Sequence, residues 1–136
     1  MKGRLALIVV ALLALAAPAL AQTPVVVNPT TIEWTPSPDH ATVLSDGTAI
    51  LTRYEVRIYM RGATEPFQVH DAGKPTPSAN TIAVVNPSWL VLSAMNSEGF
   101  ARVAAVGPGG EGVSDPSNPF ARVGPPAAPP ALVVRK

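Results

Sequence analysis

Beyond residue 22 the chain reads as short apolar runs stopped by proline or glycine, and no window sustains the 3.6-residue period of an amphipathic helix. Its 16 Pro and 10 Gly supply the stops. Val25-Val26-Val27 ends at Asn28-Pro29. Thr30–Thr35 alternates, with Ile32 and Trp34 on one face and Thr31 and Glu33 on the other. Leu51–Met60 is the clearest strand. Tyr54, Val56 and Ile58 point one way; Arg53, Glu55, Arg57 and Tyr59 point the other. A short edge strand is expected at Phe67–His70 and a β-branched one at Asn80–Val85. Ala101–Val106 alternates weakly, with Ala101, Val103 and Ala105 together, and Gly107-Pro108-Gly109-Gly110 is a turn. Val113–Val123 contains Pro116 and Pro119, which have no backbone N–H, so it predicts an irregular edge strand. Trp89–Met95 reads as a bend with its apolar side chains buried. About seven short antiparallel strands with turns between them predict an all-β, two-sheet sandwich.

The first 21 residues stand apart. Lys2 and Arg4 precede an unbroken apolar run, Leu5–Ala17, and Ala19-Leu20-Ala21 gives a small-x-small end before Gln22. These are the parts of a secretory signal peptide. A helix of that run spans only ~20 Å, short of the ~30 Å needed to cross a bilayer, although an uncleaved anchor is the rival reading. Without the segment, 115 residues remain, enough for one ordinary core, and the formal charge moves from +1 to −1. Near neutrality offers no electrostatic basis for binding nucleic acid or an anionic membrane. The absence of cysteine excludes a disulfide framework, a thiolate metal site and a cysteine nucleophile. The chain therefore reads as secreted or periplasmic, with no membrane span once the leader is removed.

Four motifs in order then resemble a known family: Ile32-x-Trp34-x-Pro36; Leu51-x-x-Tyr54-x-Val56; the run Arg102–Gly112; and Ser114-x-Pro116-Ser117. The chain is similar to a fibronectin type III domain, an immunoglobulin-like sandwich, over about residues 24–123. The resemblance implies a domain at 22–123 with Ile32, Trp34, Tyr54, Val56, Ile58, Val103 and Ala105 in the core. It also implies that Gly107–Gly112 joins the last two strands. Two positions depart from the family pattern. Gly99, with Phe100 beside it, stands where a corner tyrosine is usual, and the Pro36–Ile50 loop is longer than usual, with an extra turn expected at Ser45-Asp46-Gly47-Thr48.

Signals for chemistry are sparse. Asp39-His40 and His70-Asp71 pair a histidine with an acid, but each fits a polar turn as well as a site. A metal site needs three or four convergent ligands. No nucleophile elbow, His-Glu-x-x-His, phosphate loop or dinucleotide fingerprint is present. No cofactor and no metal are expected. The candidate contact surface is the stripe Arg53, Arg57 and Tyr59, together with Trp89 and the turn residues Gly109, Gly110 and Glu111. Residues 124–136, with Pro125, Pro126, Pro129 and Pro130, read as a Pro-rich flexible tail. Together these readings predict a non-enzymatic binding or spacer module, monomeric, whose partner is a protein or a glycan. The alternative is a structural subunit that polymerises through its terminal segments.

Overall fold

The computed structural model describes residues 23–85 and 98–128. The segment read as a leader, the bend expected at Trp89–Met95 and residues 129–136 lie outside the described residues. Among the described residues the strands in chain order are β1 (Val26–Val27), β2 (Thr31–Trp34), β3 (Arg53–Met60), β4 (Gln68–Gly73), β5 (Ile82–Val85), β6 (Glu98–Gly107), β7 (Gly110–Val113) and β8 (Phe120–Ala121). They make an all-β sandwich of two sheets. The larger has the order β1-β8-β6-β3-β4 with β7 also on β6; the smaller is β2-β5.

Strand β3 lies inside the sheet, paired along its whole length with β6 on one side and over Tyr54–Ile58 with β4 on the other. It pairs β6 from Arg53↔Val106 to Met60↔Gly99, and β4 through Glu55↔Asp71 to Ile58↔Gln68, with a register shift between Tyr54 and Glu55. Directly opposed residues share a face. Tyr54, Val56 and Ile58 thus stand with Ala105, Val103 and Ala101 on the inner side, as the alternation in each run predicts. One inner cluster holds Val56, Ile58, Ala101 and Phe120, the other Leu51, Tyr54 and Ile82. Trp34 and Val103 touch both clusters, while Ile32 packs on the first and Ala105 on the second; these four are half-buried rather than enclosed. Trp34 Nε1 is buried with no hydrogen-bond partner among the described residues.

The last run behaves as its prolines require. Pro116 and Pro119 split it into β7 and β8, which lie along the same side of β6 at opposite ends. Between them two serines carry the ladder. Ser114 Oγ accepts from Val103 N–H and Ser117 Oγ from Ala101 N–H, each at 2.9 Å, where main-chain carbonyls would otherwise serve. Ser114 N–H and Ser117 N–H in turn donate to Val103 O and Ala101 O. β1 then adds to β8 in parallel, Val26↔Phe120 and Val27↔Ala121.

The long loop after β2 is ordered by local bonds. Val43 bridges Ala49, Gly47 takes a φ of 87°, and Asp46 accepts from Thr48 N–H, so the extra turn at residues 45–48 is present. Gly107 closes the other side of this loop. A Cβ there would lie 1.8 Å from Ile50 O, so only glycine fits. No helix among the described residues is long and apolar enough to cross a membrane.

Candidate functional site

The outer face of the larger sheet gathers most of the charged and aromatic side chains singled out above. Residues two apart on β3 stand in a row ~7 Å apart, so Arg53, Glu55 and Arg57 form a plus-minus-plus stripe. The flanking arginines fold inward onto the acid between them. Arg53 Nη2 lies 2.7 Å from Glu55 Oε1, and Arg57 Nη2 lies 2.8 Å from Glu55 Oε2. Arg57 also holds Glu111 of β7, with Nη1 3.0 Å from Oε1 and a second contact between Nη2 and Oε2. Arg53 Nε approaches Asp71 of β4 at 3.9 Å. The hydrogen bonds from Arg57 and then Arg53 hold the Glu55 carboxyl below its ordinary value of 4.5, and Arg57 does the same to Glu111. Arg57 itself is driven further toward its charged form by Glu111 and Glu55.

The bond from Arg57 to Glu111 has a structural consequence. Arg57 stands opposite Arg102 of β6, and Glu111 stands opposite Val106. Their link therefore crosses β6 above the residue between, Ala104. That alanine is fully buried although it lies on the outer face. Sequence reasoning missed it, because period two alone assigns position 104 to solvent.

Tyr59 requires a correction. The alternation places it on the exposed stripe, but it is only 7% exposed. Phe100, its direct partner across the β3–β6 ladder, lies flat on it with ring centroids 5.0 Å apart and planes 1° apart. Arg102 covers the other aromatic from above, its Cζ 5.8 Å from the Phe100 centroid, and donates to Ser114 O at 2.9 Å. Tyr59 therefore anchors the face and does not present a free ring. Gly109 and Gly110 are exposed at the β6–β7 turn, where Gly110 adopts a φ of 120°. Trp89 lies outside the described residues.

The two histidines are placed separately. His40 stacks beside Tyr54, its Nδ1 3.0 Å from the phenolic oxygen, which also accepts from Ser37 N–H at 3.0 Å. His70 stands opposite Val56 on the inner side of β4, where burial lowers its pKa from 6.5 against the opposing pull of Asp71. Among the described residues no group of three His, Cys, Asp or Glu side chains could hold a metal ion. Chemically, the outer face offers ordered guanidinium and carboxylate groups that already neutralise one another. Their main effect is to hold long side chains in fixed positions, with Arg53 and Glu111 still reaching water and Glu55 and Arg57 largely covered.

A groove of about 430 Å³ borders this face, lined by Phe100, Arg61, Glu98, Pro116 and Pro119. Arg61 and Glu98 pair across its mouth at 3.0 Å. Comparison with known proteins returned no match: no family model, no curated protein and no solved structure is similar to the chain.

Proposed function

We propose that this chain is a secreted or periplasmic, non-enzymatic binding and spacer module, similar to a fibronectin type III domain, that meets a protein or a glycan through the outer face of its larger sheet and the adjoining β6–β7 turn. One observation carries the reading. Arg53, Arg57 and Arg102 come from two strands and are each held by a neighbour, so the face is preorganised before any partner arrives. Side chains already fixed lose little conformational entropy on binding, which favours a contact role. The family reading is supported by the serine-bridged last strand at Ser114-Asp115-Pro116-Ser117 and by the place of Trp34 and Tyr54 between the sheets. The extracytoplasmic reading is supported by the charged start, apolar run and Ala-x-Ala end of residues 1–21.

Two measurements test it. Intact-mass analysis of exported protein is expected to find Gln22 first; retention of Met1 overturns the leader. A photo-crosslinking side chain at Arg53 or Gly109 is expected to capture one discrete protein or glycan, while one at exposed Asn80, before β5, is not. Equal capture from all three positions overturns the assignment of the face. A second reading, a subunit that assembles through an added strand, is favoured by a different observation: β2 has a strand partner on one side only among the described residues.

A further inference from the structure

Among the described residues the smaller sheet has two strands against the six of the larger one, and β2 bonds to β5 alone. Among the described residues no backbone hydrogen bond reaches its other side. That side opens on a groove of about 350 Å³. Val26, Ile32, Ala101 and Phe120 make an apolar floor, and Thr31 and Glu33 of β2 make the rim. Ile32, Ala101 and Phe120 belong to the inner cluster around Val56, so the core continues to the surface here. Glu33 is exposed and has no ion-pair partner among the described residues, whereas Glu55, Glu98 and Glu111 are all paired.

An open ladder, an apolar floor and one unpaired acid on the outer side define what fits: an extended segment with apolar residues at alternate positions and a base on its outer side. The chain contains such a segment, Ala131-Leu132-Val133-Val134-Arg135-Lys136. Period two puts Leu132 and Val134 on one side and Val133 and Arg135 on the other. Laid along β2 with Leu132 and Val134 toward Ile32, the segment carries Arg135 on the side where Glu33 stands. Lys136 shares the side of Leu132 and Val134 but is the last residue of the segment, so its long side chain reaches past the end of the floor. Pro125-Pro126-Ala127-Ala128-Pro129-Pro130 precedes it, a Pro-rich spacer that stays stiff over ~19 Å when extended. Within it, Pro125–Ala128 are exposed. A stiff spacer whose described residues are exposed favours delivery of the segment to another molecule over folding back onto its own β2.

We propose that residues 131–136 of one copy add as a strand to the β2 edge of a second copy. This names the site and the segment for the assembling-subunit reading, on which it rests. The two surfaces differ, so the contact is heterologous, and each copy added head to tail leaves one segment and one β2 edge for the next. A ladder of about four residues must outweigh the rigid-body entropy of association, so binding is weak and the protein is monomeric when dilute.

Sedimentation of the purified protein from ~10 µM to ~1 mM tests this. The average mass is expected to rise beyond a dimer with concentration. The Leu132→Asp/Val134→Asp variant, altered outside the described fold, is expected to stay monomeric with an unchanged melting curve. Glu33→Lys and Arg135→Glu should each weaken association roughly two- to fivefold, and the two together should restore it. Association indifferent to Leu132→Asp/Val134→Asp overturns the segment while leaving an assembling subunit standing. A monomer at every concentration overturns both. If that monomer also shows faster amide exchange at Ile32 and Phe120 in the Leu132→Asp/Val134→Asp variant, the groove is filled by the chain's own segment.

Discussion

Replacing Tyr54 by phenylalanine removes one oxygen and leaves the packing intact, which makes it the sharpest test of how the long loop is held to the core. The Tyr54 ring is 1% exposed and meets Trp34 edge-on at 5.6 Å. Phenylalanine fills the same space, so the apolar burial does not change. The hydroxyl accepts the Ser37 N–H and bonds His40 Nδ1, both at 3.0 Å. Without it the half-buried Ser37 amide loses its partner, a loss that costs ~1–3 kcal/mol when water cannot replace the bond fully. His40 is half-exposed and regains a water, so it adds little. The expected loss is ~1–2 kcal/mol, or a melting temperature lower by ~5–15 °C for a domain of ~100 residues. Circular dichroism melts and urea titrations with an unchanged m-value would measure it. A Tyr54→Phe protein melting within ~2 °C of the parent would refute the latch.

Ser114→Ala and Ser117→Ala should each cost ~1 kcal/mol and speed amide exchange at Val103 and Ala101 respectively, since each removes the acceptor of that amide. Gly107→Ala should cost ~1–3 kcal/mol in urea titration, because the new methyl group meets the Ile50 carbonyl. Ala104→Leu should cost a similar ~1–3 kcal/mol and release the Arg57–Glu111 bond, visible as a change in the Arg57 Nη–H resonances. Acidification should destabilise the fold in two stages. Burial lowers His70 below its ordinary 6.5, so the unfolded chain takes up that proton first and stability falls as the pH drops below 6.5. Glu55 and Glu111 lie below 4.5 in the folded state, so the stability they supply is complete above that pH and is lost as the pH falls through their lowered values. Urea titrations across this range in His70→Asn should lose the upper stage alone.

Much of the fold is legible in local pattern. The period-two run at Leu51–Met60 contains β3, and its inner set, Tyr54, Val56 and Ile58, is the set the sheet buries. The turn at residues 107–110, the extra turn at 45–48 and the broken last strand follow from glycine and proline, whose backbone limits act within one or two residues. These features depend on neighbours along the chain, so the order of residues decides them. The exceptions all depend on which strand lies alongside. Tyr59 is buried because β6 sets Phe100 against it. Ala104 is buried because Arg57 on β3 reaches across it to Glu111 on β7. Tyr54 is a latch as well as a core residue because the loop after β2 returns Ser37 and His40 to its hydroxyl. The open side of β2 is likewise a property of the assembled sheets. Period two states which side chains share a face, but burial on that face is set by atoms from distant parts of the chain, and only the tertiary structure brings them together.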